Sequence, residues 1–183
     1  RLFTRILVSP DSRYVCYVRN DLGKYKVKIH DLQRGKRKKI MKGNYKSLLY
    51  APDESFPLMA WHPDGKILSL IREKKGKLLL GFYHPATKKL EESVLFNFEK
   101  VLDFSYSDDG QYLLMSAVQN GQSDIFVYSL RTHTYVQVTK DIYDDLNPRF
   151  FRNGSGIIFS SNRPADTLRT DESDTLPPLP QTD

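Results

Sequence analysis

The sequence predicts an all-β protein assembled from short antiparallel meanders, and three observations carry that expectation. One turn phrase recurs: a polar turn closing in Asp-Gly, or a variant of it, followed by an apolar strand. It reads 8–17 with Ser9-Pro10-Asp11-Ser12, 61–70 with His62-Pro63-Asp64-Gly65, 105–116 with Ser107-Asp108-Asp109-Gly110, and 151–160 with Asn153-Gly154-Ser155-Gly156. Aligning Ser12, Gly65, Gly110 and Gly154 gives spacings of 53, 45 and 44 residues. The stretches between turns alternate apolar and polar residues with period two, as half-buried strands do. Helical spacing of apolar residues is not sustained for three turns anywhere. A repeat of roughly 40–45 residues made of short strands is the period of a β-propeller blade, a four-stranded meander that buries its faces only against neighbouring blades.

The elements follow in order. Residues 3–8 read as a first strand and 13–19 as a second, with a turn at 20–24. Residues 25–32 alternate strictly, and Lys38 to Met41 read as a basic fourth strand. A connection over 43–56 leads to strands at 57–61, 66–72, 77–83 and 90–96. The third repeat reads 101–106, 111–118, 124–130 and 135–139, and the fourth begins with 147–151 and 157–161. The expected organisation is blade 1 over 1–43, blade 2 over 44–97, blade 3 over 98–140 and the inner half of blade 4 over 141–163. That is about three and a half blades, an incomplete ring. Residues 164–183 are rich in Pro, Thr and Asp, lack periodicity and read as a disordered loop or tail; their place in the repeat suits an insertion in blade 4 whose outer strands lie beyond the chain. With Arg1 as its first residue and no apolar signal segment after it, the chain reads as a processed product or an excised piece.

Composition adds bounds. Of 183 residues, 39% are hydrophobic and 27% charged, a globular balance, and no apolar run reaches the length of a transmembrane helix. The net charge of +6 is uneven: 22 Lys/Arg against 10 Asp/Glu over residues 1–100, then 6 against 12. Such asymmetry can steer a partner without saying which. The single cysteine, Cys16, excludes an internal disulfide and falls in an alternating strand, where it reads as a small buried hydrophobe.

Blade topology sorts the loops. Inter-blade connections and the turns between second and third strands share one face, which thereby collects the longest and least repetitive segments. The Asp-Gly turns share the other face. Variable loops on a rigid scaffold are where binding resides, so Tyr45, Tyr50, Asp141, Tyr143, Asp144 and Asp145 are candidate partner-binding residues. The carboxylates of 141–145 read first as a solvated acidic turn; a calcium site would need more oxygen ligands and a suitable Gly.

The repeated turns, with Asp124 to Leu130, Gln137-Val138-Thr139 and Asn147-Pro148-Arg149-Phe150, resemble the TolB-type, WD-repeat-like propeller over residues 3–163. The resemblance implies a non-catalytic binding platform in the bacterial periplasm or cell envelope, with a protein partner, a peptidoglycan-associated one among them, or the remaining blades of a parent protein. The same propeller type precedes the hydrolase domain of prolyl-oligopeptidase-like peptidases, which is the alternative. The last turn, Asn153-Gly154-Ser155-Gly156, departs from the family phrase.

No catalytic constellation emerges. Gly-x-Ser-x-Gly is absent around Ser155, and His30, His62, His84 and His133 share no metal-ligand spacing. The reading is therefore no enzyme, no metal and no cofactor. Trp61 closes an inner strand and reads as inter-blade packing, with a ligand platform as the alternative. Arg34, Lys36, Arg37, Lys38 and Lys39 form the densest basic run and are candidate anion-binding residues. A charged edge that discourages sheet-to-sheet pairing is the first reading of the run, and an anionic partner, nucleic acid or membrane headgroups among them, is the alternative. No aromatic interleaves the run, which disfavours single-stranded nucleic acid.

Overall fold

The computed structural model describes residues 2–21, 23–44, 57–151 and 154–164. They form fourteen strands and no helix. Strands β1 (Leu2–Val8), β2 (Tyr14–Asp21), β3 (Lys24–Asp31) and β4 (Lys36–Asn44) make one antiparallel meander, and β5 (Leu58–Trp61), β6 (Leu68–Lys74), β7 (Lys77–His84) and β8 (Lys89–Val94) a second. The third holds β9 (Lys100–Tyr106), β10 (Tyr112–Gln119), β11 (Gln122–Ser129) and β12 (Tyr135–Gln137), while β13 (Asp145–Phe151) and β14 (Gly156–Ser161) pair as a two-stranded sheet among the described residues. The strands thus follow the expected order, with β4 reaching further than Lys38 to Met41. Contacts divide the chain into two units, Arg1–Leu95 and Phe96–Asp183.

In the first unit the period-two pattern does the work it predicts. Tyr14, Cys16 and Val18 of β2 and Tyr25, Val27 and Ile29 of β3 turn one face inward, and Met59, Leu68, Leu70 and Tyr83 of the second meander meet them. Cys16 is completely buried, and burial pushes its thiol up, so it acts as a small apolar side chain. Trp61 stacks on Tyr14 with ring centroids 6.0 Å apart, which supports the packing reading. Arg72, itself buried, forks onto Glu92 through Nε and Nη2 at 2.7 Å each. Gly43 in β4 is there for space: a Cβ would lie 2.3 Å from the Tyr25 ring.

In the second unit Tyr112, Leu114, Ile125 and Val127 pack with Val138, Phe150, Ile157 and Phe159, so the third meander and the β13–β14 pair share a core. On the opposite face of β11, Phe126 meets Phe98 and Tyr135 edge-on, with centroids at 5.0 and 5.7 Å.

The turns between second and third strands differ from the four-residue turns expected. At 73–76 and 120–123 they contract to Lys75-Gly76 and Asn120-Gly121, all with positive φ (53°, 77°, 54° and 76°). A two-residue turn in this left-handed conformation matches the twist of the strands it joins, so the flanking residues stay in the ladder.

Candidate functional site

The recurring Asp-Gly turns are built as self-contained units. Ser9 Oγ donates to Asp11 Oδ1 at 2.5 Å and accepts the Tyr14 amide at 2.8 Å. Ser107 repeats this on Asp109 (2.6 Å) and Tyr112 (3.0 Å). Each Asp accepts the amide two residues on: Arg13 at 3.1 Å, Lys66 at 2.8 Å and Gln111 at 3.0 Å. In the second repeat His62 stands where the others have Ser, with Nδ1 2.8 Å from Asp64 Oδ1. The next position has positive φ in all three, at Ser12 (57°), Gly65 (72°) and Gly110 (73°). These bonds all serve to shape the turn. The Ser9 hydroxyl, then the Arg13 amide, hold the Asp11 carboxyl below its ordinary value.

The connection between β12 and β13, together with Asp145 at the start of β13, holds the candidate partner-binding residues at 141–145. It is pinned rather than loose. Gln122 Nε2 donates to the Tyr143 carbonyl (2.9 Å), Ser123 Oγ to Asp144 Oδ1 (2.6 Å), and the Asp144 amide to Asn162 Oδ1 (2.9 Å). Asp141 Oδ1 accepts the Tyr143 amide at 2.8 Å. Arg163 closes the arrangement: its guanidinium forks onto Asp141 Oδ2 and reaches Asp145 Oδ2 at 2.8 Å. Ser116 Oγ fixes the Asp145 carbonyl at 2.7 Å.

This corrects one part of the acidic-turn reading. Asp141 and Asp144 are exposed, but the Asp145 side chain is wholly buried and ion-paired with Arg163. A fully desolvated carboxylate needs a partner from the chain itself, and Arg163 supplies it. Its other oxygen, Oδ1, has no hydrogen-bond partner among the described residues. Tyr45 and Tyr50 lie outside the described residues. Two residues went unnoticed in the sequence. Arg163 is one. Ile142 is the other: it is 81% exposed, held between Asp141 and Tyr143 on this pinned connection.

The basic run divides by strand parity. Lys36 and Lys38 pair with Asp31 and Ile29 and share their face, whereas Arg37 and Lys39 pair with His30 and Lys28 on the other. All four are exposed. Lys36, Lys38 and Arg34 line a groove of about 280 Å³ completed by Arg13, Tyr14, Ile29 and Asp31 and, from the β7–β8 hairpin, Tyr83, Pro85, Ala86 and Lys88. The structure thus brings Arg34, Lys36 and Lys38 together and leaves Arg37 and Lys39 out. No group of three or more His, Cys, Asp or Glu side chains among the described residues could hold a metal ion.

Meanders of four antiparallel strands, joined in sequence and repeated with a serine- or histidine-anchored Asp turn, define a β-propeller module. Solved structures agree at the level of the fold. The chain is similar to TolB from Acinetobacter baumannii, with a TM-score of 0.68, 17% identity, and 90% of this chain matched to 38% of that one. It is similar to dipeptidyl peptidase 4 from Porphyromonas gingivalis, with a TM-score of 0.62, 13% identity and 86% of this chain matched to 29% of that one. The tricorn protease matches 76% of this chain with 13% of its own, at a TM-score of 0.53 and 17% identity. The chain thus spans well under half the length of each of these structures. No family model matches, and neither does any curated protein. What is shared is the fold: a TolB-like β-propeller, here a partial one.

Proposed function

We propose that the chain is a non-catalytic propeller module that binds a protein partner through the pinned connection at 141–145, as part of a larger periplasmic or cell-envelope protein. One observation carries the reading: Ile142 is 81% exposed on a segment whose neighbours are tied by hydrogen bonds and an ion pair. A large apolar side chain held out on an ordered segment loses little conformational freedom on docking, which is how interface anchors gain affinity. The exposed carboxylates of Asp141 and Asp144 would flank it as a polar rim. The envelope setting rests on the likeness to TolB.

The reading is tested by placing a photo-crosslinking amino acid at position 142 of the parent protein in its host, with position 131 as the control. A discrete protein adduct from 142, suppressed when Asp141 and Asp144 are changed to Asn, is expected. Adducts that are equal from both positions, or absent from 142, overturn it.

A second reading is favoured by the fold likeness to dipeptidyl peptidase 4 and the tricorn protease. Here the module would be the propeller of a serine peptidase and restrict access to a separate hydrolase domain. A Gly-x-Ser-x-Gly segment in the parent polypeptide, together with hydrolysis of chromogenic dipeptide substrates, would establish it. A parent without such a segment would remove it.

A further inference from the structure

We propose that the groove between the β3–β4 and β7–β8 hairpins of the first unit binds an extended acidic peptide. This site lies in a different unit from the connection at 141–145, and its fate does not depend on that of the partner-binding reading.

Charge is the first argument. Five cations line the groove, Arg13, Arg34, Lys36, Lys38 and Lys88, against the single carboxylate of Asp31. Asp31 is already occupied: it accepts Arg13 Nη2 at 3.2 Å and the Arg34 amide at 3.0 Å. No acidic side chain among the described residues pairs with Lys36, Lys38 or Lys88. Like charges gathered in a concave site repel one another and concentrate a positive field there, which an anionic ligand relieves. Edge protection does not explain the cluster. It accounts for lysines on β4, where Arg37 and Lys39 serve equally, but not for Lys88 on another sheet or for Arg13 beside the turn.

Pre-organisation is the second. Arg13 sits with its guanidinium 4.9 Å from the Tyr14 ring centroid, and its side chain is only 29% exposed. Its Nε is buried and has no acceptor among the described residues. A planar fork held by an aromatic ring and one carboxylate is suited to a second carboxylate.

The shape of the groove selects among anions. Ile29, Pro85 and Ala86 give it an apolar part, which a bare inorganic ion would not use. Its volume of about 280 Å³ is at the small end for ligand sites and suits one or two side chains. Single-stranded nucleic acid needs exposed aromatic faces for its bases, and Tyr14 (9% exposed) and Tyr83 (2%) offer none. β4 is also the last strand of its sheet among the described residues, so an extended peptide can add along its edge. On such a strand residues i and i+2 share a face. Carboxylates at alternate positions would therefore meet Lys36 and Lys38 together.

The test is fluorescence anisotropy of a labelled Glu-x-Glu-x-Glu peptide with the full chain. Two controls accompany it, a peptide of the same composition with the glutamates contiguous and a single-stranded DNA oligomer of equal charge. The alternating peptide is expected to bind best. The double substitution Lys36→Glu with Lys38→Glu should weaken it at least about tenfold, because close charge pairs are reversed. Arg37→Glu with Lys39→Glu makes the same change in net charge on the other face, and should weaken binding less than about threefold. Equal loss in the two pairs would mean long-range attraction without a site. Failure of the alternating peptide to bind overturns the proposal, as does no preference over the contiguous peptide. Tighter DNA binding with the same Lys36 and Lys38 dependence would replace the peptide by nucleic acid.

Discussion

The connection at 141–145 and the groove around Lys36 and Lys38 are both charge clusters, and they differ in where their counter-charges come from. At the connection, Asp145 and Asp141 find Arg163 within the chain, while the Asp144 carboxylate accepts from Ser123 Oγ and its amide donates to Asn162 Oδ1. In the groove, Asp31 serves Arg13 and the Arg34 backbone, while the three lysines are left with none among the described residues. Charges that the chain neutralises are accounted for by folding. Charges that it gathers and leaves uncompensated are not, and they are the better pointer to a ligand. Under the two proposals, the acidic cluster is a framework for the apolar Ile142, whereas the basic cluster would itself be the recognition element.

The largest consequence is for stability. Arg163→Leu would leave the buried Asp145 carboxylate without its cation, at a cost of about 3–5 kcal/mol in urea unfolding. Arg163→Lys keeps the charge but loses the fork onto Asp141, and should fall between the variant and the parent chain. Lys36→Ala, in the groove, should change stability by less than about 0.5 kcal/mol. A Lys36→Ala effect as large as that of Arg163→Leu would show that the basic cluster is structural too, and would erase the distinction.

How far each cluster was legible in the sequence follows from the range of its interactions. The turns were legible because all their bonds close within five residues: Ser9 to Tyr14 and Ser107 to Tyr112 are readable as local phrases. The meanders were legible because period two assigns each residue to a face. The division of the basic run into Lys36 and Lys38 against Arg37 and Lys39 follows from that same parity, although the run invites treatment as one patch. Arg163 was not legible. It lies 22 residues from Asp141 and 18 from Asp145, beyond β14, where composition has already shifted. Nothing local distinguishes it from a surface arginine, just as nothing local marks Asp145 for burial beside exposed Asp144. The groove likewise depends on Arg13 and Lys88 converging from two meanders, which no single-strand pattern reports.

An intermediate effect comes from the turns, which are neutralised like the acidic connection but entirely locally. Ser107→Ala removes the donor to Asp109 and the acceptor of the buried Tyr112 amide, at a cost of about 1–2 kcal/mol. Ser9→Ala should behave alike. His62→Ser should be tolerated, because a serine at this place in the other two turns makes the same contact to the aspartate. If Ser107→Ala proved neutral while His62→Ser destabilised the chain, the equivalence of the three turns would be lost.

The smallest effects are in the pH dependence, where two aspartates of opposite environment should part company. The Ser9 hydroxyl, then the Arg13 amide, lower the folded pKa of Asp11 below 3.8. Its contribution to stability is therefore complete above that value and is lost as pH falls through the lowered folded value. Asp124 is the reverse: it is buried, and burial raises its folded pKa against the bonds from Thr139 and Gln137, with the charge of Asp145 adding to the rise. Its charge opposes folding at neutral pH, and the penalty disappears as pH falls through the raised folded value towards 3.8. Asp124→Asn can keep the Gln137 bond through its amide oxygen, so it should stabilise the chain at pH 7. Asp11→Asn should destabilise it there. Urea midpoints taken from pH 7 down to pH 2 should show the Asp124→Asn gain closing first, at the higher pH, and the Asp11→Asn loss closing last. Closure in the opposite order would mean that the bonds from Thr139 and Gln137 hold Asp124 ionised more firmly than burial and the charges of Asp145 and Asp141 oppose it.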